Sequence, residues 1–230
     1  MTFDMQANTQ EKYQTGQPHA VLFDLDGTLI DTHLIILASF RHTTKTLLGR
    51  DFPEEVLMQK VGQPLTVQMW DFTDEQELHD EMLRVYRAHN ESIHDELVKA
   101  FPGILELLNA VNKKQIPCAV VTSKMHALAQ RGLHFSGIES YIDFIISPDD
   151  CPIFKPNPEP VLLGCERLGV QAKDCLYVGD SPFDIQAGNA AGCKTVAVLW
   201  GMFSEDALRA ENPDAVCASP EELLDVIFAA

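Results

Sequence analysis

Asp24 and Asp26 stand two apart in Asp24-Leu25-Asp26-Gly27-Thr28, directly after the apolar run Ala20-Val21-Leu22-Phe23. Side chains two apart on a strand share a face, so both carboxylates could point at one ligand. Two convergent carboxylates repel and need a cation or a shared proton to relieve them. Hard oxygen donors of this kind suit Mg2+, which keeps several waters and takes one or two carboxylates. Standing alone, Asp-x-Asp-Gly is more often a turn signal. Three further clusters carry chemistry. Thr122-Ser123-Lys124 follows the apolar run Ala119–Val121, where hydroxyls and free backbone N–H groups at a helix start can hold a phosphate; helix capping by Ser123 is the competing reading. Lys155 sits in the proline-stiffened Lys155-Pro156-Asn157-Pro158-Glu159-Pro160, which can aim one ammonium, although a loop lysine is commonly solvated. In Gly179-Asp180-Ser181-Pro182-Phe183-Asp184, Asp180 ends a strand and is free to reach a metal. Asp184, three residues after Ser181, either supports that metal or completes a helix cap.

These clusters need elements that bring them to one place. Ala20–Phe23 reads as a buried strand. Between Asp31 and Ala100 apolar residues recur at helical spacing, as in Leu78, Met82, Val85, Tyr86 and His89, and strand-like runs are scarce, which indicates a helical insertion. From Phe101 onward strands alternate with helices. A helix carries Ile104, Leu107, Leu108 and Val111; a strand spans Pro117–Val121; a helix begins near Lys124. Then come the strand Phe144–Ile146, a helix over Pro158–Leu168, and the strand Leu176–Val178. Ser181-Pro182 opens a further helix, Thr195–Leu199 is a strand, and Ser219-Pro220 opens the last helix, each Ser as N-cap with Pro at the first helical position. Alternation of this kind predicts an α/β fold with a doubly wound parallel sheet, and such sheets bind ligands beyond the carboxyl ends of their strands.

In their order and placement the four clusters resemble the motifs of the haloacid-dehalogenase-like (HAD) hydrolase superfamily from about residue 20 to the C-terminus. The insertion resembles that superfamily's C1-type helical cap, and Val61-Gly62-Gln63-Pro64-Leu65 resembles the cap loop of its phosphoglycolate-phosphatase relatives, although Gly62 and Pro64 equally suit an inter-helix turn. The resemblance implies three parts: a mobile tail over 1–18, a HAD-like Rossmannoid core formed by 19–31 and 101–230, and a helical cap over 32–100. It implies Asp24 as a nucleophile that forms an aspartyl-phosphate and Asp26 as general acid and base. Mg2+ would be held by the Asp24 side chain, the Asp26 backbone carbonyl and Asp180, with Asp184 behind them. Thr122, Ser123 and Lys155 would hold the phosphoryl group, and Gly62 and Gln63 would act in specificity.

Family dehalogenases carry Tyr where Asp26 stands and phosphonatases carry Ala, so the resemblance implies a phosphate ester or anhydride as substrate. Mutases show Gly-Asp-Ser-x-Ala-Gly, which Asp184 contradicts. Stretches such as Leu34–Thr43, Tyr86-Arg87, His94–Lys99 and Pro158–Leu163 resemble the bacterial HAD pyrophosphatases. Inorganic pyrophosphate is the substrate expected, with Arg41, His42, Lys45, Lys60 and Gln63 available to its second phosphoryl group. Phosphoglycolate or another small phosphate monoester is the alternative, and a non-catalytic phospho-binding or receiver-like module the alternative of another class.

Composition narrows the partners. The 34 acidic against 17 basic residues leave a net charge of −17, which opposes a nucleic-acid surface while permitting a small phosphorylated substrate where a cation reverses the local field. No stretch approaches the ~20 apolar residues of a membrane span, and the N-terminal segment lacks a signal-peptide core. The cysteines at 118, 151, 165, 175, 193 and 217 form no CxxC pair and read as reduced structural thiols, so a cytoplasmic protein is expected. His33 and His126, nearest the motifs, read as surface or packing residues, and Trp200-Gly201 as packing and a turn.

Overall fold

The computed structural model describes residues 17–229, so the tail expected over 1–18 lies outside the described residues except for Gln17 and Pro18. The chain enters through β1 (Ala20–Phe23), turns at Asp24–Gly27 and forms the short strand β2 (Ile30–Asp31). Four helices follow, α1 (His33–Leu48), α2 (Glu54–Met58), α3 (Leu65–Gln68) and α4 (Gln76–Leu97), before β3 (Lys99–Ala100) pairs antiparallel with β2. The remainder alternates: α5 (Ile104–Lys113), β4 (Cys118–Val121), α6 (His126–Phe135), β5 (Ile145–Ile146), α7 (Glu159–Leu168), β6 (Cys175–Gly179), α8 (Pro182–Ala191), β7 (Lys194–Val198), α9 (Glu205–Arg209), β8 (Ala215–Cys217) and α10 (Pro220–Ala229).

Strands β5-β4-β1-β6-β7-β8 form one sheet in that order, and every neighbouring pair is parallel. Helices cover both faces, which is why β1 and β4 read as unbroken apolar runs. Alternate residues divide between two cores. Val21, Phe23, Val120 and Val178 pack under α5, α6 and α10; Ala20, Leu22, Val121 and Tyr177 pack under α7 and α8. All six cysteines are free, and Cys165, Cys175 and Cys193 belong to the second of these cores.

The helices between β2 and β3 have a core of their own. Leu37, Phe40, Leu57, Met69, Met82 and Tyr86 meet there, with the Phe40 and Tyr86 rings edge-to-face at 4.9 Å. Of the residues expected along 78–89, Met82 and Tyr86 are buried in the 22-residue α4, while Leu78, Val85 and His89 are half-buried. Four elements escape the sequence reading. Strands β2 and β3 have two residues each and show no period, while α9 and β8 are too short to stand out between Leu199 and Ser219.

Because Phe40 is 1% exposed and touches both Phe72 and Tyr86, its removal leaves a cavity in the smaller core. Phe40→Ala should cost about 3–5 kcal/mol of unfolding free energy, read by urea denaturation; a loss below about 1 kcal/mol would contradict a separate packed core here.

Candidate active site

The sheet changes direction of winding at its centre. From β1 the chain moves outward through β4 and β5, then crosses back to β6, β7 and β8 on the other side. The carboxyl ends of β1, β4 and β6 flank the crevice that such a reversal opens. Asp24 follows β1, Thr122 follows β4 and Asp180 follows β6.

Asp24, Asp180 and Asp184 each present a carboxylate oxygen within 4.8 Å of the others, and all three are buried. Lys155 is buried with them. Its ammonium donates to Asp24 Oδ1 at 2.8 Å, to Asp184 Oδ1 at 2.6 Å and to the Val121 carbonyl at 3.4 Å. Its three protons are thus all directed at acceptors of the protein. Burial alone would lower the Lys155 pKa, but the carboxylates of Asp184 and Asp24 outweigh it and hold the group well above its ordinary value. Burial lifts the Asp24 carboxyl well above the usual range; Lys155 opposes the shift, while Asp184 and Asp180 add to it.

Asp184 completes a helix cap, and its carboxylate also belongs to the cluster with Asp24 and Asp180. Its Oδ2 accepts from the Ser181 N–H and hydroxyl, and Ser181 Oγ accepts from the Asp184 N–H, completing a capping box at the start of α8. Its Oδ1 accepts from Lys155 and from the Tyr177 hydroxyl at 3.1 Å. With its oxygens engaged in this way, Asp184 positions its neighbours. Asp180 is held by one bond per oxygen, from the Thr28 hydroxyl at 3.0 Å and the Met202 N–H at 2.8 Å. Burial, then the charge of Asp184, pushes its pKa up to about 7. Its walls are glycines of necessity: a Cβ on Gly27 or Gly201 would come within 2.2 Å of Asp180, and Gly27 also adopts φ +88°.

Above Asp24 lies a cavity of about 550 Å³ between the strand ends and the helices of 33–97. Asp24, Asp26, Thr122, Ser123 and Lys124 line it from below, and Gly62, Gln63 and the Tyr86–Glu91 stretch of α4 from above. The Asp26 side chain does not join the carboxylate cluster. The backbone leaves β1 at Phe23, so the two-residue strand alternation no longer applies, and Asp26 Oδ1 accepts from Lys124 Nζ at 2.8 Å. The Thr122 hydroxyl oxygen accepts from the Lys124 N–H, leaving its own proton for a ligand. Ser123 does not cap a helix: its hydroxyl donates to the Gly62 carbonyl at 2.7 Å, and α6 begins only at His126 with Met125 as N-cap. That bond ties the 61–65 loop to the core, and the Gln63 carbonyl accepts from Gln68 within the same loop.

The cations expected around a second phosphoryl group lie elsewhere. Arg41 faces Glu54, Lys45 faces Asp51 and Lys60 faces Asp71, while His42 stacks on His89; of that set only Gln63 lines the cavity. His33 pairs with Glu54, and the His126 N–H donates to Asp149, as surface roles require. The sequence reading left Tyr177 unassigned and gave Lys124 and Arg87 no individual role; Trp200, read as packing, donates to the Thr28 carbonyl. Thr28 stood in the quoted first motif, but nothing in its spacing linked it to residue 180.

In chelator, native Asp180 keeps its proton to about pH 7, whereas the unfolded chain releases it near pH 4. The native state therefore binds more protons across that window, and its stability falls as pH rises through it. Asp24, shifted in the same direction, adds to the slope. Urea unfolding in EDTA at about pH 5 and about pH 7.5 should show wild type losing stability relative to Asp180→Asn; a gain would contradict the cluster's electrostatics.

The chain matches the family model of the haloacid dehalogenase-like hydrolases over residues 21–198. A Clostridium perfringens protein named PpaX is 42% identical over 90% of this chain and 96% of its own length. Pyrophosphatase PpaX of Halalkalibacterium halodurans is 36% identical over 91% and 96% of the two chains. A predicted phosphoglycolate phosphatase from Haemophilus somnus superposes with a TM-score of 0.85 at 23% identity, covering 93% of this chain and 99% of that one. With strands, motifs and sequence similarity in agreement, the chain belongs to the haloacid dehalogenase-like hydrolase family.

Proposed function

We propose that the protein is a Mg2+-dependent phosphohydrolase that works through an aspartyl-phosphate on Asp24, and that inorganic pyrophosphate is its substrate. One observation carries the reading: of the three clustered carboxylates, Asp24 alone lines the cavity, with Lys155 and the other two behind it and Asp26 across from it. The donor set suits Mg2+. Three buried carboxylates share one lysine, two of them are driven toward the protonated form, and hard oxygens are what that ion takes. Asp24 and Asp180 would hold it with the Asp26 backbone carbonyl, and Asp184 would support them through Lys155 and Ser181. When bound, the ion supplies positive charge to the phosphoryl oxygens and favours the ionised Asp24.

Asp24 attacks phosphorus in line, forming a bond from its carboxylate oxygen while the bridging P–O bond breaks. Asp26 gives its proton to the departing phosphate. Asp26 then takes a proton from the water that attacks the aspartyl-phosphate, releasing the second phosphate and restoring Asp24. The Thr122 hydroxyl donates to a transferring oxygen, and Lys155 opposes protonation of the nucleophile. The helical insertion over 32–100 acts as a cap that keeps bulk water from this step. Support for pyrophosphate comes from two relatives at 36% and 42% identity, both of which carry pyrophosphatase in their names. The phosphoglycolate alternative draws on a neighbour similar at the level of fold.

Asp24→Asn should abolish turnover with the circular dichroism spectrum unchanged, because the near-isosteric amide is no nucleophile. Turnover within about tenfold of wild type would remove Asp24 from this role. Activity should vanish in EDTA, return with Mg2+ and be inhibited by Ca2+, whose larger and looser oxygen shell spoils the in-line geometry. Under identical Mg2+, kcat/KM for pyrophosphate should exceed that for 2-phosphoglycolate. A tenfold preference for phosphoglycolate, about 1.4 kcal/mol, would overturn the substrate and keep the phosphohydrolase.

A further inference from the structure

The described cavity wall carries three cations, Arg87, Lys124 and Arg131. Two are already neutralised: Lys124 donates to Asp26 at 2.8 Å and Arg131 to Asp95 at 2.7 Å. Arg87 forms no ion pair or hydrogen bond with any described residue. Glu91, one turn further along α4, makes no ion pair with it and contributes instead to the surroundings of Arg131. An exposed arginine is usually solvated, but this one lines a cavity whose wall also includes the apolar side chains of Ile36, Val61, Leu65, Met125 and Leu128. Against such walls an incoming anion is screened less than in water.

Position gives Arg87 its meaning. The neighbouring Tyr86 is 7% exposed, and its hydroxyl pKa is pushed upward by burial and further by the charge of Asp26. Tyr86 and Arg87 line the same cavity as Asp26, the residue proposed to protonate the leaving oxygen. A group attached to that oxygen would extend toward α4, away from Asp24. In pyrophosphate that group is a phosphoryl, which gains negative charge as the bridging bond breaks. A guanidinium presents paired N–H donors to two phosphoryl oxygens at once, and its attraction grows with that charge.

We infer that Arg87 is a specificity-determining residue that binds the leaving phosphoryl group of pyrophosphate. The inference rests on the phosphohydrolase reading above and adds the residue that selects the substrate. The nitrophenolate released from p-nitrophenyl phosphate carries no phosphoryl group, so it offers no pair of phosphoryl oxygens for the Arg87 fork to hold. This ester reports on Asp24, Asp26 and the metal site alone.

The test compares kcat/KM for pyrophosphate and p-nitrophenyl phosphate, with saturating Mg2+, in the full-length wild type, Arg87→Met and Arg87→Lys. Arg87→Met should lose about 100-fold on pyrophosphate, the loss expected of a charge-assisted contact, and less than about threefold on p-nitrophenyl phosphate. Arg87→Lys should fall between Arg87→Met and wild type on pyrophosphate, because it restores the charge without the paired donors. Equal losses on both substrates would mean a structural role and overturn the inference. So would an unchanged rate on pyrophosphate. Failure of the wild type on both substrates would instead overturn the phosphohydrolase reading itself, and turnover of p-nitrophenyl phosphate by Arg87→Met shows that the variant is folded.

Discussion

Burying three carboxylates around one lysine is the constraint on which the site depends. Asp24, Asp180 and Asp184 come from the ends of β1 and β6 and the first turn of α8, and Lys155 from the loop before α7. If all three carboxylates ionise against one ammonium, the pocket holds an excess of negative charge in a medium that solvates it poorly. Proton uptake relieves that excess, as the raised pKa values of Asp24 and Asp180 indicate. A divalent cation relieves it as well and leaves Asp24 ionised, which is the state a nucleophile needs. The same excess of negative charge therefore suits the cluster to the cation proposed above.

Much of the surrounding architecture serves this arrangement. Parallel strands aim their carboxyl ends the same way, so residues from three strands meet without long loops. The capping box at α8 engages Asp184 and turns a local helix signal into support for Lys155. The loop at 200–202 closes over Asp180 through the Met202 N–H and leaves no room for a side chain at Gly201. Over this anionic floor the cavity wall supplies cations, of which Lys124 faces Asp26 and Arg87 is unengaged among the described residues. A protein of net charge −17 can thus present a locally favourable path to an anionic substrate.

The fold was legible because both of its periods are strong. Apolar runs at Ala20–Phe23, Cys118–Val121 and Cys175–Gly179 are buried on two faces, and the 3.6-residue stripe of α4 extends over 22 residues. The Ser-Pro starts of α8 and α10 were legible for local reasons, since a cap acts within one turn. The motif residues could be named, but not all of their contacts. Asp26 left the expected face because β1 had already ended, and the Ser123 hydroxyl was taken by a carbonyl 61 residues away. Sequence spacing does not encode contacts across such distances. For the same reason Arg41, Lys45 and Lys60 could not be told from Arg87: each is a cation on a helical segment, and only packing decides which one meets the cavity.

The central claim is that Asp24, ionised once a cation offsets the negative charge of this cluster, takes the phosphoryl group onto its own carboxylate. Rapid acid quenching of the enzyme during turnover of radiolabelled pyrophosphate, with borohydride reduction of a parallel sample and peptide mapping by mass spectrometry, reads that event directly. The account predicts acid-stable label on the protein within the first turnover and conversion of Asp24, and no other residue, to homoserine. Full product formation without label on the protein, or reduction mapped to Asp26 or Asp180, would contradict it.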